Sequence, residues 1–359
     1  MMPFCANQPK EHAVIYSDLE TGFGISVAVK TTTNWAKIIW WDGTEEIKEP
    51  SVAGPPFSDT RGKICFFKVS DTNDSKRIVV YSTDSSGNKS GSVEMFTCYR
   101  KKDHRKERRD NYAPNQKVTK MDVSTCSNLK VLKCDRNKLT SLGDVSACRL
   151  LKVIACAGNC FENIDVSRMQ SLDQFYCNFN PQLSGVQLPS NLRLLGASST
   201  GLEDASIRYD LPYSLVHLNL RECPNIGTLY LDDRDNLLYA NFQDSPNLSS
   251  VDFNGSQNLH NINVSNTPVT SLDFTGSGFT YGGYTYFGQS DYGYAYTTRF
   301  IFLNDNSTIT STDVENIYAT LPYAASDLYS GAAIEAFNTP GAAAADDRDA
   351  TNNGWTVYT

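Results

Sequence analysis

From Val118 to Phe274 the chain repeats itself at intervals of 20 to 23 residues, and so short a period leaves few folds open. Leu129-Lys-Val-Leu132-Lys-Cys134-Asp-Arg-Asn137 is followed by Leu151-Lys-Val-Ile154-Ala-Cys156-Ala-Gly-Asn159 and by Leu172-Asp-Gln-Phe175-Tyr-Cys177-Asn-Phe-Asn180. Looser copies start at Leu192, Leu215, Leu237 and Leu259, and the successive steps are 22, 21, 20, 23, 22 and 22 residues. No helix-length apolar stripe fits inside such a unit, and one unit cannot enclose a core. Each must be one turn of a coil whose inward side chains are covered by the turns above and below it.

A second, shorter apolar segment sits between the main ones: Val118-Thr-Lys-Met121-Asp-Val123, Leu139-Thr-Ser-Leu142, Phe161-Glu-Asn-Ile164-Asp-Val166, Leu248-Ser-Ser-Val251-Asp-Phe253 and Val269-Thr-Ser-Leu272-Asp-Phe274. Apolar residues therefore point inward from both long sides of each turn, with Ser/Asn/Gly/Asp corners between. The copies read L-x-x-L-x-[CL]-x-x-[NT], which resembles the leucine-rich repeat. The resemblance implies a flattened, strand-rich solenoid, stacked at the strand spacing of about 4.8 Å. The corner position Asn137, Asn159, Asn180, continued by Thr200, Cys223, Ser245 and Thr267, is small and mostly polar. It is expected to bond the backbone of the adjoining coil rather than a ligand.

Charge is unevenly spread over the 359 residues: +3 in 1–117, −4 in 118–275 and −7 in 276–359, summing to −8. That balance speaks against a nucleic-acid-binding protein. Among ten cysteines, Cys134, Cys156 and Cys177 share one inward position, while Cys126 and Cys148 share another that Met169 continues. No Cys-x-x-Cys pair or His partner accompanies them, so they are expected to be reduced, structural and metal-free, in a protein assembled in a reducing compartment. The opening residues, Met1 to His12, hold no apolar core of a signal sequence, and no stretch reaches membrane-spanning length. Export by the usual route is not expected of a chain starting at Met1.

Ahead of the repeats, β-branched and aromatic runs at 24–30, 36–41, 63–69, 77–81 and 92–98 alternate with turn clusters and predict a small β-sandwich. Arg100, Lys101, Lys102, Arg105, Lys106, Arg108 and Arg109 then place seven cations in ten residues, read either as a solvated hinge or as a contact for an acidic or phosphate-bearing partner. After Phe274 the repeat breaks. Tyr281, Tyr284, Tyr286, Tyr292, Tyr294 and Tyr296 alternate through a glycine-rich stretch that reads as a hairpin, offering flat contact area for sugar or protein or packing on the last coils. The tail reads strand (299–303), helix (312–321, with Thr312 and Glu315 as capping box), strand (333–337), short helix (342–351) and closing strand (354–358).

The fold class expected is mainly β: a small β-sandwich-like domain over 1–115, a leucine-rich-repeat solenoid of about seven repeats over 116–275, and a Tyr/Gly-rich hairpin with an α+β cap over 276–359. With its Asp-Val-Ser corners, Leu-x-Cys-x-x-Asn strands and the run Asn338-Thr-Pro-Gly341…Gly354-Trp-Thr-Val357, the chain is similar to leucine-rich-repeat surface and virion proteins of the Bacteroidota type, including those of their phages. Degenerate repeats after Leu192 and the tyrosine stretch depart from that family. The resemblance implies adhesion or structural roles, no cofactor and no catalytic residues. No G-x-S-x-G, H-E-x-x-H, P-loop or EF-hand motif occurs. His12, His104, His217 and His260 are scattered, the last two on outward repeat positions, and the acids Asp232, Asp233, Asp235, Asp346, Asp347 and Asp349 fall in expected solvated turns.

A non-enzymatic attachment protein is therefore expected, first as a phage virion component (fibre, spike or capsid decoration) assembled in host cytoplasm. The alternative is a cell-surface adhesin or glycan-binding lipoprotein. Expected partners are other virion or surface proteins, a host glycan or protein, or further copies of the chain.

Overall fold

The computed structural model describes residues 12–18, 24–49, 64–69, 75–99, 118–207, 211–279, 299–323 and 332–359. The chain divides into two compact units, Met1–Asn180 and Pro181–Thr359.

In the first unit, one sheet runs Glu45–Lys48, Ala36–Ile39, Ser75–Ser82, His12–Asp18 and Val118–Asp122 in spatial order, antiparallel throughout. In the other, Gly24–Thr31 lies antiparallel between Ile64–Val69 and Val93–Tyr99. Ile15, Ile38, Ile78, Val80, Val27, Val29, Ile64 and Phe96 are fully buried and form the core of this sandwich-like domain. Each sheet then hands an edge to the repeats. Val93–Tyr99 pairs in parallel with Val131–Lys133, setting Phe96 opposite Leu132, while His12–Asp18 pairs with Val118–Asp122, the first of the shorter segments. The first coil is thus built on strands that already exist, and its open face is covered at once.

Val131–Lys133, Val153–Ala155 and Gln174–Tyr176 stack in parallel with Leu132, Ile154 and Phe175 in register, all wholly buried. Cys134, Cys156 and Cys177 follow on the same inward line, also with no exposure. In the second column, the Cys126 thiol donates to His12 O (3.3 Å) and the Cys148 thiol to Val123 O (3.4 Å). Burial pushes the Cys98 thiol up to about 12 and those of Cys134 and Cys156 well above their ordinary range, so these groups stay protonated and unreactive.

The corner asparagines tie coil to coil. Asn159 Nδ2 donates to Cys156 O of its own turn (2.9 Å) and to Cys134 O of the turn before (3.0 Å), while its Oδ1 accepts Leu139 N (3.0 Å). Asn180 repeats the pattern with Cys177 O, Cys156 O and Asn159 N. Immediately before each corner stands a residue with positive φ: Arg136 (57°), Gly158 (66°) and Phe179 (57°) here, and Ser199, Glu222, Asp244, Asn266, Asp305 and Asn338 in the second unit. For a residue with a Cβ this conformation costs about 1–2 kcal/mol. It recurs because it aims the N–H at the next coil: Arg136 N at Ala157 O (2.6 Å), Ser199 N at Arg221 O (2.7 Å) and Asn266 N at Asn304 O (2.7 Å).

Asp135, beside that corner, accepts the Ala157 N–H (2.8 Å), and burial raises its carboxyl from 3.8 to about 6. A raised acid favours the folded state only while protonated, so its share of stability is present below pH 4 and lost between pH 4 and 6. Asp135→Asn keeps an acceptor for Ala157 and removes the charge. Urea unfolding is expected to show the variant about 1–3 kcal/mol more stable than the parent at pH 7.5, with the gap closing by pH 4; an equal gap at both pH values would refute this.

The second unit stacks Leu194–Gly196, His217–Asn219, Tyr239–Asn241, Asn261–Asn263, Arg299–Phe302, Ala332–Glu335 and Trp355–Tyr358 in parallel. Leu195, Leu218, Ala240, Ile262, Ile301 and Ile334 are in register and buried. A second column, Thr228–Tyr230, Ser250–Asp252 and Ser271–Asp273, brings Leu229, Val251 and Leu272 into line, with Phe253 and Phe274 stacked behind them at 5.2 Å. The α+β C-terminal part is built by extending the first column while a helix takes over from the second. Helix Ser311–Thr320 buries Val314, Ile317 and Tyr318, and its Thr320 hydroxyl accepts Phe274 N (3.2 Å). Its capping box is Thr310 with Asp313, not Thr312 with Glu315: Thr310 is the extended residue, and Thr312 already lies inside the helix. The alanine-rich run forms two short helices, Pro340–Ala344 and Arg348–Asn352, because Ala345 turns extended between them. Among the described residues, no helix is long and apolar enough to cross a membrane.

Candidate binding depression on the second unit

The corner after each shorter segment follows a common rule. Asp122, Asp144 and Asp165 each accept the N–H of the serine two residues on at 2.9 Å, and bonds from that serine's hydroxyl first and its N–H second hold their carboxyls below the usual range. In the second unit Asp252 accepts Asn254 N (2.9 Å) and Asp273 accepts Thr275 N (2.8 Å). Gly255 (φ 75°) and Gly276 (φ 66°) come next, and then buried Ser256 and Ser277. Ser256 shows what this last position does: its hydroxyl donates to Leu231 O (2.8 Å) and accepts Arg234 N (3.0 Å).

One coil differs from the two that follow it at four positions together. The register Leu229, Val251, Leu272 puts Tyr230 where those two have Asp252 and Asp273, Asp232 where they have Asn254 and Thr275, Asp233 where they have Gly255 and Gly276, and Arg234 where they have Ser256 and Ser277. Asp233 adopts φ 54°, which glycine would take without strain. Arg234 is only 4% exposed, yet it is a guanidinium in a serine's place. Its Nη1 donates to Leu211 O, Tyr213 lies over it with the ring centroid 3.9 Å from Cζ, and its Nε is buried without a hydrogen-bond partner.

These residues surround a depression of about 460 Å³, completed by Asp252, Asn254 and Tyr213. Tyr213 is 61% exposed. The wall therefore offers three acceptor-only carboxylates, one amide that donates and accepts, one guanidinium and two phenols. Of the acids expected to be solvated, Asp233 and Asp235 are exposed, and Asp235 accepts Gln257 N (3.3 Å). Asp346, Asp347 and Asp349 are exposed too, Asp346 paired with Arg348. Among the described residues, no group of three or more His, Cys, Asp or Glu is placed to hold a metal ion.

The other residues singled out from sequence fall elsewhere. Tyr281, Tyr284, Tyr286, Tyr292, Tyr294 and Tyr296, like Arg100, Lys101, Lys102, Arg105, Lys106, Arg108 and Arg109, lie outside the described residues. His260 is wholly buried, not outward. Val216, at the same point of an earlier coil, is buried as well, while Leu238 between them is half-buried. Tyr239 stacks on His217 at 4.4 Å and lies 5.1 Å from His260, and burial lowers His217 to about 4, leaving it neutral. Tyr213 carries no sequence signal, and Tyr230 only that it stands where the next two coils have Asp252 and Asp273.

No protein-family model matches the chain, and no curated protein matches it. Among solved structures, the functional domain of InlJ from Listeria monocytogenes, which includes a cysteine ladder, is similar over 61% of this chain and 48% of that one, at 22% identity and a TM-score of 0.38. YopM from Yersinia enterocolitica is similar over 45% of each chain, at 18% identity and a TM-score of 0.24. Both are leucine-rich-repeat proteins. The chain is mainly β, with parallel strand columns stacked as a solenoid. It spans about half the length of either structure, and the likeness is one of fold alone.

Proposed function

We propose that this leucine-rich-repeat chain is a non-enzymatic attachment protein, and more narrowly a structural component of a phage particle such as a fibre, spike or capsid decoration. The observation that carries the attachment reading is the coil at Tyr230–Arg234. It departs in chemical type from the two coils that follow it at four of five positions, and the departing side chains border a depression. Seven buried free cysteines among the described residues suit folding in a reducing cytoplasm, which supports assembly inside a host. The tyrosines Tyr281 to Tyr296 and the basic run Arg100 to Arg109 stand as further proposed contacts, with particle proteins or with a host glycan or protein.

Gold-labelled antibody against the whole chain tests the location. Label on phage particles purified from a lysate is the expected result. Label confined to the envelope of uninfected cells would replace the virion reading with the adhesin.

A further inference from the structure

We infer that the depression beside Tyr230 binds a neutral saccharide, an inference that rests on the attachment reading and gives it a ligand class. A volume of about 460 Å³ lies within the range of small-ligand sites. The wall matches vicinal hydroxyls, each of which donates one hydrogen bond and accepts others. Asp232, Asp233 and Asp252 are acceptors, while Asn254 and Arg234 supply donors.

Arg234 provides an observation independent of the acids. It is 4% exposed, borders the depression and has an Nε without a hydrogen-bond partner. A buried cation where the two following coils have Ser256 and Ser277 sets this corner apart from theirs. It offsets only one of the three carboxylates, so a lysine-rich peptide is the rival that the experiment must include. Tyr213 favours the saccharide. With one ring face committed to the guanidinium at 3.9 Å, much of its cation-attracting capacity is already used. The outer part of a ring that is 61% exposed remains a flat apolar platform of the kind a pyranose C–H face covers.

Saturation-transfer NMR on the full chain tests this with methyl glycosides of glucose, galactose, mannose and N-acetylglucosamine, with cellotriose and maltotriose, and with octalysine as the rival ligand. At least one neutral saccharide is expected to bind with a dissociation constant on the order of 1 mM, as befits a shallow site. Tyr213→Ala is expected to weaken it at least tenfold. The double variant Tyr230→Asp, Asp232→Ser restores the corner used by the other coils, so it should melt no lower than the parent yet lose binding equally. No signal from any neutral saccharide, binding untouched by both variants, or octalysine binding in place of sugar would each overturn the inference. If saccharides fail while the antibody still labels particles, the attachment reading survives and only the ligand class falls.

Discussion

Leu151→Asp is expected to abolish folding of several coils rather than one. Leu151 is wholly buried at the start of the second regular repeat segment, where its N–H donates to Cys148 O (3.1 Å). Losing the leucine alone costs about 2–5 kcal/mol. An unpaired carboxylate in its place adds several more, and the sum rivals the roughly 5–15 kcal/mol that holds a whole domain together. Each coil is covered only by its neighbours, so the loss spreads along the stack. Limited proteolysis should cut the variant throughout 129–180. A single nick near residue 151, with the flanking coils still resistant, would show that the coils fold independently.

Asn159→Ala is the second large effect. The side chain is 4% exposed, and its removal strands the buried Leu139 N and takes one of two donors from Cys134 O and from Cys156 O, which keep Asn137 Nδ2 and Asn180 Nδ2. At about 1–3 kcal/mol for the one buried group left unsatisfied and about 1 kcal/mol or less for each carbonyl that keeps another donor, a loss of about 2–4 kcal/mol is expected, measured by urea unfolding. Asn159→Asp separates bonding from size. It keeps the acceptor for Leu139 but turns a carboxylate oxygen toward two carbonyls, so it should be at least as damaging as alanine. An aspartate variant as stable as the parent would show that the amide donors contribute nothing.

The coils were legible because stacking leaves no freedom inside: Leu132, Ile154 and Phe175 must be apolar, and Asn159 must be able to donate and accept at once. What was not legible follows from physics outside the local pattern. Glu45–Lys48 is an edge strand of charged residues, supported by pairing with Ala36–Ile39 and by the Lys37–Glu45 ion pair at 2.5 Å rather than by its own apolarity. The left-handed corners at Arg136, Glu222 and Asp244 carry no glycine to announce them, because a bond to the next coil offsets the local strain. Past Asn266 the corner column continues at Asp305 and Asn338, but the chain between these points is longer than a repeat and hides the spacing. The depression joins Tyr213, from before one coil, to residues of that coil and the next. Its departures stand out only when Leu229, Val251 and Leu272 are in register.

Amide hydrogen exchange at the left-handed corners probes the stacked coil most directly. In an isolated turn, the N–H groups of Arg136, Ser199, Glu222, Asp244 and Asn266 would face water; here each donates to the following coil. The account predicts that these five exchange as slowly as the buried strand amides around Leu132 and Leu218. Exchange at the rate of an open loop would contradict it.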